Sequence, residues 1–183
     1  MQQIDISHKP SPHSIWNKIG RVLWFWVYWL LFRPSPRFLF VWRIFLLRCF
    51  GARVSFKARV HPTAKIWAPW NLVMGDYATL APGVDCYCVA TVSIGAHATV
   101  SQYSYLCSAT HDFEHPNMPL VSSPIVIHDQ AWICADVFIG PGVTIGEGCV
   151  IGARSSVFSD MPAWHVCCGT PAAPVRKRVI KEK

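Results

Sequence analysis

A histidine and an aspartate stand side by side, at His111 and Asp112, in the stretch ATHDFEHPNMPLVSSP that covers residues 109–124. An imidazole titrates near neutral pH, so it can take a proton from a hydroxyl group, and a positioned general base of this kind contributes about 10² to 10⁴ in rate. A hydroxyl needs such a base because almost none of it is ionised at neutral pH. We therefore predict that His111 is a catalytic base, and that Asp112 either orients its ring or caps the following loop.

The histidine stands where a regular array is interrupted. Downstream, aliphatic residues recur without a gap at every sixth position, as Ile127, Ile133, Ile139, Ile145, Ile151 and Val157. Upstream, the same period occurs in three runs, from Val54 to Leu72, from Met74 to Cys86 and from Cys88 to Leu106, and each run is offset from the previous one by two residues. An offset of two keeps the same side of a strand facing inward.

A period of six predicts a mainly β fold, a parallel β-helix in which each hexapeptide supplies one short strand and a turn, and three hexapeptides complete a coil. A β-sandwich with accidental regularity is the alternative, and the length of the run disfavours it. Residues 112–124 contain three prolines and no aliphatic residue at every sixth place, and proline cannot donate to a strand ladder. We expect this segment to leave the array as a loop, with His111 at its root and facing the open edge.

The N-terminal third is basic and aromatic. Residues 1–60 contain ten Lys and Arg against Asp5 alone, a net charge of +9, and they hold five of the nine tryptophans. The uncharged run from Val22 to Phe32 has eleven residues, whereas a bilayer-spanning helix needs about 20. Pro34 and Pro36 then interrupt the helix. Tryptophan and arginine around an apolar run favour a membrane interface with anionic lipid, while a nucleic-acid groove does not need such a run, so we expect no nucleic-acid partner.

Two interpretations of this apolar segment stay open. Two short helices could enter the cytoplasmic leaflet as an anchor, or the segment could pack against its own domain or a sister subunit. No small-residue cleavage site follows the apolar run, as a secretory signal would require. The expected location is the cytoplasm, in peripheral association with the inner face of the membrane.

The predicted organisation has four parts: a flexible N-terminus at 1–13, a helical membrane-interface segment at 14–53, a β-helix at 54–168 with its loop at 112–124, and a basic C-terminal tail at 169–183. The eight cysteines do not form the paired CxxC motifs of a structural zinc site, and small buried thiols are their default in a cytosolic chain. We expect no metal.

Four stretches carry a resemblance to a known family: WAPWNLVMGD at 67–76, PGVDCY at 82–87, SQYSYLCSATHD at 101–112 and PGVTIGEGCVIGARSSV at 141–157. The chain resembles the hexapeptide-repeat acyltransferases, and within them the colanic-acid-type polysaccharide O-acetyltransferases. This resemblance implies a left-handed coil, a homotrimer with active sites between subunits, and acetyl-CoA as cosubstrate. It also implies that a saccharide hydroxyl is acetylated during surface-polysaccharide or glycolipid biosynthesis. The Trp/Arg segment suits a lipid-linked form of this acceptor.

The resemblance assigns roles to individual residues. The catalytic histidine of the family falls on His111 through the match ATHD. Coenzyme A would bind along turns of small residues and to basic side chains, at Ala135, Gly152, Ala153, Arg154 and Arg176. The acceptor would meet Asp85, Tyr87 and Trp132, although Trp132 could equally be groove wall and Asp85 could cap a turn. A Thr-Lys pair of several relatives is replaced by Phe158-Ser159, so that contact is not carried over.

Three other functions remain as alternatives. An acetyltransferase could act on a small soluble alcohol, such as a free sugar, serine or an antibiotic. A non-catalytic, membrane-docked assembly protein could use the apolar segment to hold partners. A zinc enzyme similar to the γ-class carbonic anhydrases would need a set such as His61, His97 and His111, but a tight histidine pair on one coil is lacking.

Overall fold

The computed structural model describes residues 4, 7 and 12–181. Most of the predicted N-terminal segment 1–13 and the last two residues of the predicted tail therefore lie outside the described residues. The continuously described part, residues 12–181, begins with two helices, α1 (Ile15–Val27) and α2 (Phe40–Cys49), and a π-helical turn, Tyr28–Phe32, continues α1. The Ser14 hydroxyl accepts the Asn17 N–H at 3.2 Å and so caps the start of α1.

Short strands make up the rest of the described chain, with one 3₁₀ turn at Pro69–Asn71. They are β1 Arg53–Val54, β2 Arg59–Val60, β3 Lys65–Ile66, β4 Leu72–Met74, β5 Thr79–Leu80, β6 Asp85–Tyr87, β7 Val92–Ile94, β8 Thr99–Val100, β9 Tyr105–Cys107, β10 Ala109–His111, β11 Leu120–Ser122, β12 Ile125–Ile127, β13 Trp132–Ile133, β14 Phe138–Ile139, β15 Thr144–Ile145, β16 Val150–Ile151, β17 Ser156–Val157, β18 His165–Gly169 and β19 Ala172–Lys177.

The strands form three parallel sheets that are the sides of a prism. Sheet 1 has the order β1-β4-β7-β12-β15, sheet 2 the order β2-β5-β8-β13-β16-β18, and sheet 3 the order β3-β6-β9-β14-β17. Apart from β10, β11 and β19, consecutive strands thus lie on consecutive sides, and each set of three completes a coil. Five coils are complete, and a sixth begins where Met161 bridges to Ile145 and β18 pairs with β16. The predicted parallel β-helix is confirmed.

The aliphatic repeat forms the core of the prism, as the period predicts. Each sheet contributes one buried column: Val54, Met74, Ile94, Ile127 and Ile145 from sheet 1; Val60, Leu80, Val100, Ile133, Ile151 and Cys167 from sheet 2; Ile66, Cys86, Leu106, Ile139 and Val157 from sheet 3. Both Leu72 and Met74 of β4 point inward, so the offset of two residues preserves the inward side.

The two helices cover the N-terminal end of the prism. Trp24, Phe32, Ile44 and Leu47 are buried in the same core as the coils. The face that points away from the prism is apolar and exposed: Phe25, Trp26, Leu30, Val41 and Phe45 are each at least half exposed. Of the two interpretations of the apolar segment, packing on its own domain holds for one face of the helices. The other face remains an exposed apolar surface.

Three side chains from the helices each bond to the first strand of a different sheet. The Arg48 Nη1 donates to the Val54 carbonyl at 2.8 Å, the Arg43 Nε to the Val60 carbonyl at 2.7 Å, and the Trp24 Nε1 to the Ile66 carbonyl at 2.7 Å. Those carbonyls belong to the edge strands β1, β2 and β3, which have no preceding coil to pair with. The helices therefore supply the donors that a preceding coil would have supplied.

The C-terminal end is closed by a hairpin. β19 turns back and pairs antiparallel with β18, with Gly169 opposite Ala172 and His165 opposite Lys177. The Arg178 Nη1 then donates to the carbonyls of Gln130 and Gly148, at 3.1 and 2.9 Å. The first half of the predicted tail is thus a strand at the end of sheet 2.

Candidate active site

The excursion from the array is a β-hairpin. The chain leaves the prism after β9, at the corner between sheets 3 and 1, and β10 pairs antiparallel with β11, with Ala109 opposite Ser122 and His111 opposite Leu120. Pro116 and Pro119 lie in the tip between these strands, where no ladder donor is required. The predicted loop therefore has a regular stem, and His111 is its last paired residue.

Ser108 fixes the base of the hairpin. It is fully buried, and its hydroxyl donates to the Tyr87 carbonyl at 2.9 Å and accepts the Ala90 N–H at 3.0 Å. Its own carbonyl accepts the Ser123 N–H at 3.0 Å, which joins the two ends of the hairpin. The sequence patterns did not single out Ser108. The signal was present, because a serine two places after Leu106 puts a polar group on the inward side of the strand.

Replacement of Ser108 by alanine is expected to lower kcat about tenfold and to leave coenzyme A affinity unchanged. The buried carbonyl of Tyr87 and N–H of Ala90 would lose their partner, at a cost of about 1–3 kcal/mol in the free energy of unfolding. The hairpin would then hold His111 less firmly. Steady-state kinetics and thermal unfolding measure both effects, with Ser93→Ala on the outer side of β7 as the stability control.

A backbone carbonyl selects the tautomer of the neutral His111 ring. The Nδ1 atom lies 2.7 Å from the Met118 carbonyl oxygen. A carbonyl can only accept, so Nδ1 carries the hydrogen and Nε2 of the neutral ring has a free lone pair. The side chain is exposed at the outer side of the hairpin. This arrangement presents Nε2 to a substrate hydroxyl as a base.

Met118 reaches the ring through a strained turn. Its φ is 43°, in the left-handed region that costs free energy for residues other than glycine. Its N–H donates to the His115 carbonyl at 2.9 Å, which closes the turn and directs the Met118 carbonyl toward His111. Sequence patterns did not identify this residue because the contact is made by its backbone.

Asp112 contacts the hairpin tip. Its Oδ1 accepts the Glu114 N–H at 3.1 Å, and its own N–H donates to the Pro119 carbonyl at 3.0 Å. Of the two roles that the sequence left open for Asp112, these bonds correspond to the cap. The contact that orients the His111 ring comes from Met118.

The predicted coenzyme A residues gather at the corner between sheets 2 and 3. Ala135, Ala153 and Arg154 line a groove of about 310 Å³ together with Gln102, Tyr103 and Asp136. Gly152 adjoins it, and a Cβ at this position would lie 2.8 Å from the Cβ of Cys168 in the next coil, so only glycine fits. The Arg154 Nε lies 3.5 Å from Asp136 Oδ2, and both side chains are mostly exposed, so this pair is weak.

Arg176 lies apart from that groove. It is exposed on β19 opposite Val166, toward the start of β18, and its Nη1 donates to the Lys177 carbonyl at 3.1 Å. The structure thus brings four of the five predicted cofactor residues to one corner.

The predicted acceptor residues divide between two sheets. Asp85 and Tyr87 lie on β6 in sheet 3, where Asp85 Oδ2 is 3.7 Å from Lys65 Nζ and the Tyr87 ring is 5.4 Å from that of Trp67. Trp132 lies on β13 in sheet 2 and donates from Nε1 to Ser101 Oγ at 3.0 Å. Through Ser108, Tyr87 is tied to the base of the hairpin.

The three histidines of the zinc alternative each have separate neighbours. His61 Nδ1 lies 2.9 Å from Thr63 Oγ1, and burial, followed by the charges of Arg37 and Arg43, lowers the pKa of His61. The His97 ring stacks on Tyr77 at 5.0 Å. Within residues 12–181, and at positions 4 and 7, no group of three or more His, Cys, Asp or Glu side chains is arranged to hold a metal ion.

Comparison with known proteins agrees with this fold. Residues 124–159 match the family described as bacterial transferase hexapeptide (six repeats). The chain is 46% identical over 182 residues to the protein of Escherichia coli (strain K12) assigned to colanic acid biosynthesis as an acetyltransferase, with 100% of both chains covered.

Two solved structures share the architecture. A galactoside acetyltransferase in complex with coenzyme A aligns with a TM-score of 0.76 at 28% identity, covering 91% of this chain and 84% of the other. A hexapeptide-repeat acetyltransferase from Vibrio cholerae, in complex with acetyl coenzyme A, aligns with a TM-score of 0.82 at 24% identity over 98% and 97% of the two chains. The full-length relationship and the six-residue repeat together show that the chain belongs to the hexapeptide-repeat acyltransferase family.

Proposed function

We propose that the protein is an acetyl-CoA-dependent O-acetyltransferase that modifies a saccharide hydroxyl during the assembly of a surface polysaccharide or glycolipid. The observation that carries this proposal is the His111 ring, whose Nδ1 is bonded to the Met118 carbonyl and whose Nε2 is left to act as a base. The relative assigned to colanic acid biosynthesis supports the acceptor class, and the coenzyme A complex of the galactoside acetyltransferase supports the donor.

The reaction is a direct transfer. The saccharide oxygen attacks the thioester carbonyl carbon while Nε2 of His111 takes its proton, and a tetrahedral intermediate forms whose oxyanion is stabilised by backbone N–H groups. The carbon–sulfur bond then breaks, and the imidazolium returns the proton to the coenzyme A thiolate. The products are an O-acetyl ester and free coenzyme A.

Two copies of the chain would complete each site. His111, Asp85 and Tyr87 belong to sheet 3 and the corner between sheets 3 and 1, whereas the groove of Ala153 lies at the corner between sheets 2 and 3. Six residues of strand and turn span up to about 20 Å. The two corners of one prism are therefore too far apart for His111 to contact a donor bound in the groove of the same chain. A homotrimer with sites between neighbouring subunits brings base and donor together, with Trp132 on the donor side.

In this arrangement the pantetheine arm follows the turns at Ala135, Gly152 and Ala153, and Arg154 binds phosphate. Arg176, exposed near the C-terminal end of the prism, is proposed as a second phosphate contact. Asp85 and Tyr87 contact the saccharide, and Asp112 acts by holding the hairpin tip.

Replacement of Ala153 by tryptophan is expected to raise the Kd for coenzyme A at least tenfold, because the indole fills the groove that Ala135 and Arg154 line. The same variant should lose acetyl transfer to a saccharide, measured as release of the coenzyme A thiol, when donor is limiting. Ala163→Trp, at an exposed turn between sheets 1 and 2, is the matched control. Equal loss of affinity in both variants would contradict the placement of the donor.

The exposed face of the helices is proposed to rest on the cytoplasmic surface of the membrane. Trp26 and Leu30 are 56% and 65% exposed, and arginines flank this apolar face, as expected at an interface with anionic lipid. None of the helices within residues 12–181 is both long and apolar enough to cross a bilayer.

A double variant, Trp26→Ser with Leu30→Ser, is expected to weaken partition to vesicles that contain anionic lipid at least tenfold, since it removes buried apolar area from the contact. Point variants are preferable to deletion of the helices, because Trp24, Phe32 and Leu47 belong to the core. Phe158→Ser, an equally exposed aromatic position at the other end of the prism, should leave partition unchanged in vesicle sedimentation.

A further inference from the structure

A cavity of about 490 Å³ lies where α1 and its π-helical turn meet the first coil. Its walls are mainly aromatic and include Phe25, Trp29 and Trp67. Phe25 and Trp29 also belong to the exposed apolar face of the helices, so the cavity adjoins that surface. It has no part in the acetyl-transfer steps described above.

Three cations surround this cavity: Arg21, Arg33 and Lys65. The Arg21 guanidinium lies 4.5 Å from the centre of the Trp67 ring, and that of Arg33 lies 4.9 Å from the Trp29 ring. Lys65 is 3.7 Å from Asp85 in a largely exposed pair, which is weak. Asp5 is the single acidic residue before position 76 in the sequence. The charges around the cavity are therefore poorly neutralised, and they favour an anion.

A tyrosine that lines the cavity has an unsatisfied hydroxyl. Tyr28 is 8% exposed, and its hydroxyl is the one buried side-chain oxygen or nitrogen in the described part of the chain without a hydrogen-bond partner. Such a group costs free energy unless a partner is supplied. An acceptor oxygen of a bound ligand would supply one.

We propose that this cavity binds a long-chain alkyl phosphate, the lipid carrier end of a lipid-linked saccharide. Its chain lies between the aromatic rings, and its phosphate lies among Arg21, Arg33 and Lys65 with an oxygen near Tyr28. The inference rests on the proposed function, since it identifies the acceptor as lipid-linked. The positive charges around the cavity favour the phosphate group. The adjoining apolar face indicates that the phosphate belongs to a membrane lipid.

The register of sheet 3 connects this cavity with the acceptor residues. Lys65 is paired with Asp85, and Tyr87 is paired with Cys107, the residue before Ser108 at the hairpin base. Adjacent strands are about 4.8 Å apart, so the two steps from β3 to β9 cover about 10 Å. A saccharide attached to the bound phosphate would extend along Asp85 and Tyr87 toward the hairpin that carries His111.

The test is calorimetric titration of the full chain with octyl phosphate below its micelle concentration, beside octanol and inorganic phosphate. Octyl phosphate should bind at least tenfold more tightly than either comparison ligand. Arg21→Gln and Arg33→Gln should each weaken it about tenfold, whereas Arg59→Gln, an exposed arginine on β2, should not. Tyr28→Phe should weaken binding and raise the Tm of the free protein.

Equal binding of octanol would overturn the inference, because it would indicate an apolar contact to which the phosphate contributes nothing. Equal binding of inorganic phosphate would overturn it as well, because the lipid chain would then contribute nothing. If octyl phosphate does not bind, and if light scattering shows that Arg33→Gln changes the mass of the assembly, the inference is wrong. The cavity would then be a contact with a second copy of the chain.

Acetyl transfer to a soluble saccharide separates this inference from the proposed function. The arginine variants should retain that activity, since neither arginine contacts the donor groove or the hairpin. If octyl phosphate fails to bind while transfer proceeds and depends on His111, the lipid site is wrong and the transferase stands. If octyl phosphate binds but no saccharide is acetylated, the lipid site stands and the proposed transferase activity is wrong.

Discussion

Replacement of His111 by alanine is expected to lower kcat for acetyl transfer by about 10² to 10⁴, the contribution typical of a positioned general base. Coenzyme A affinity should change little, because the donor groove is lined by other side chains, among them those of Ala135, Ala153 and Arg154. Thiol release in the presence of a saccharide measures the first quantity, and calorimetry with coenzyme A measures the second.

His115 provides the matched control, since it lies four residues later in the hairpin tip. Its Nδ1 accepts the Asn117 N–H at 3.2 Å, so its contact is local to the tip. His115→Ala should retain most of the activity.

Full activity of His111→Ala would refute the mechanism. If the unmodified protein binds coenzyme A but acetylates no saccharide, a non-catalytic assembly role is favoured. A preference for a small free alcohol over a saccharide would favour the soluble-acceptor alternative.

Replacement of Arg43 by methionine is expected to lower the free energy of unfolding by about 3 kcal/mol or more, since each buried partner that it leaves unpaired costs about 1–3 kcal/mol. The side chain is fully buried and donates to the carbonyls of Val60, Pro36 and Arg37, at 2.7, 2.8 and 2.7 Å. It also donates to the Ser35 hydroxyl at 2.9 Å. This one residue therefore joins α2, the segment before α2 and the first coil.

For a chain of this length, that loss corresponds to a fall in Tm of roughly 6–12 °C. Arg43→Lys should fall between methionine and the native residue, because an ammonium group cannot reproduce the planar fork of donors. Arg53→Ala, at an exposed arginine on β1, should change the Tm little. An equally small effect of Arg43→Met in denaturant titrations would show that the helices contribute little to the stability of the coils.

The coils could be predicted from the sequence because one periodic constraint determines them. The residue at every sixth place faces the core, and the columns that begin at Val54, Val60 and Ile66 are buried in every coil. The place of His111 at the root of the excursion was predictable for a related reason, since an interruption of the period is visible in the sequence, whereas its catalytic role stays a prediction. Its assignment as the catalytic base also used the family resemblance.

Other features depend on backbone geometry or on the third dimension, and the sequence pattern does not contain them. The pairing of β10 with β11 has no alternating signature, and the Met118 carbonyl has no side-chain signal. Arg43 and Arg48 contributed to the prediction of a membrane interface, yet both donate to carbonyls of the first coil. Basic residues in an apolar helix can thus donate hydrogen bonds to the protein's own backbone carbonyls instead of to lipid phosphate.

The donors that Trp24, Arg43 and Arg48 place on β3, β2 and β1 also determine how copies of the chain can associate. A β-helix with a bare first coil would offer three open strand edges to the last coil of another molecule, which is the geometry of fibre growth. Here the helices occupy that end, and the β18–β19 hairpin occupies the far end of sheet 2. End-to-end polymerisation is thereby disfavoured, and lateral contact between prism sides is left as the route to a closed assembly.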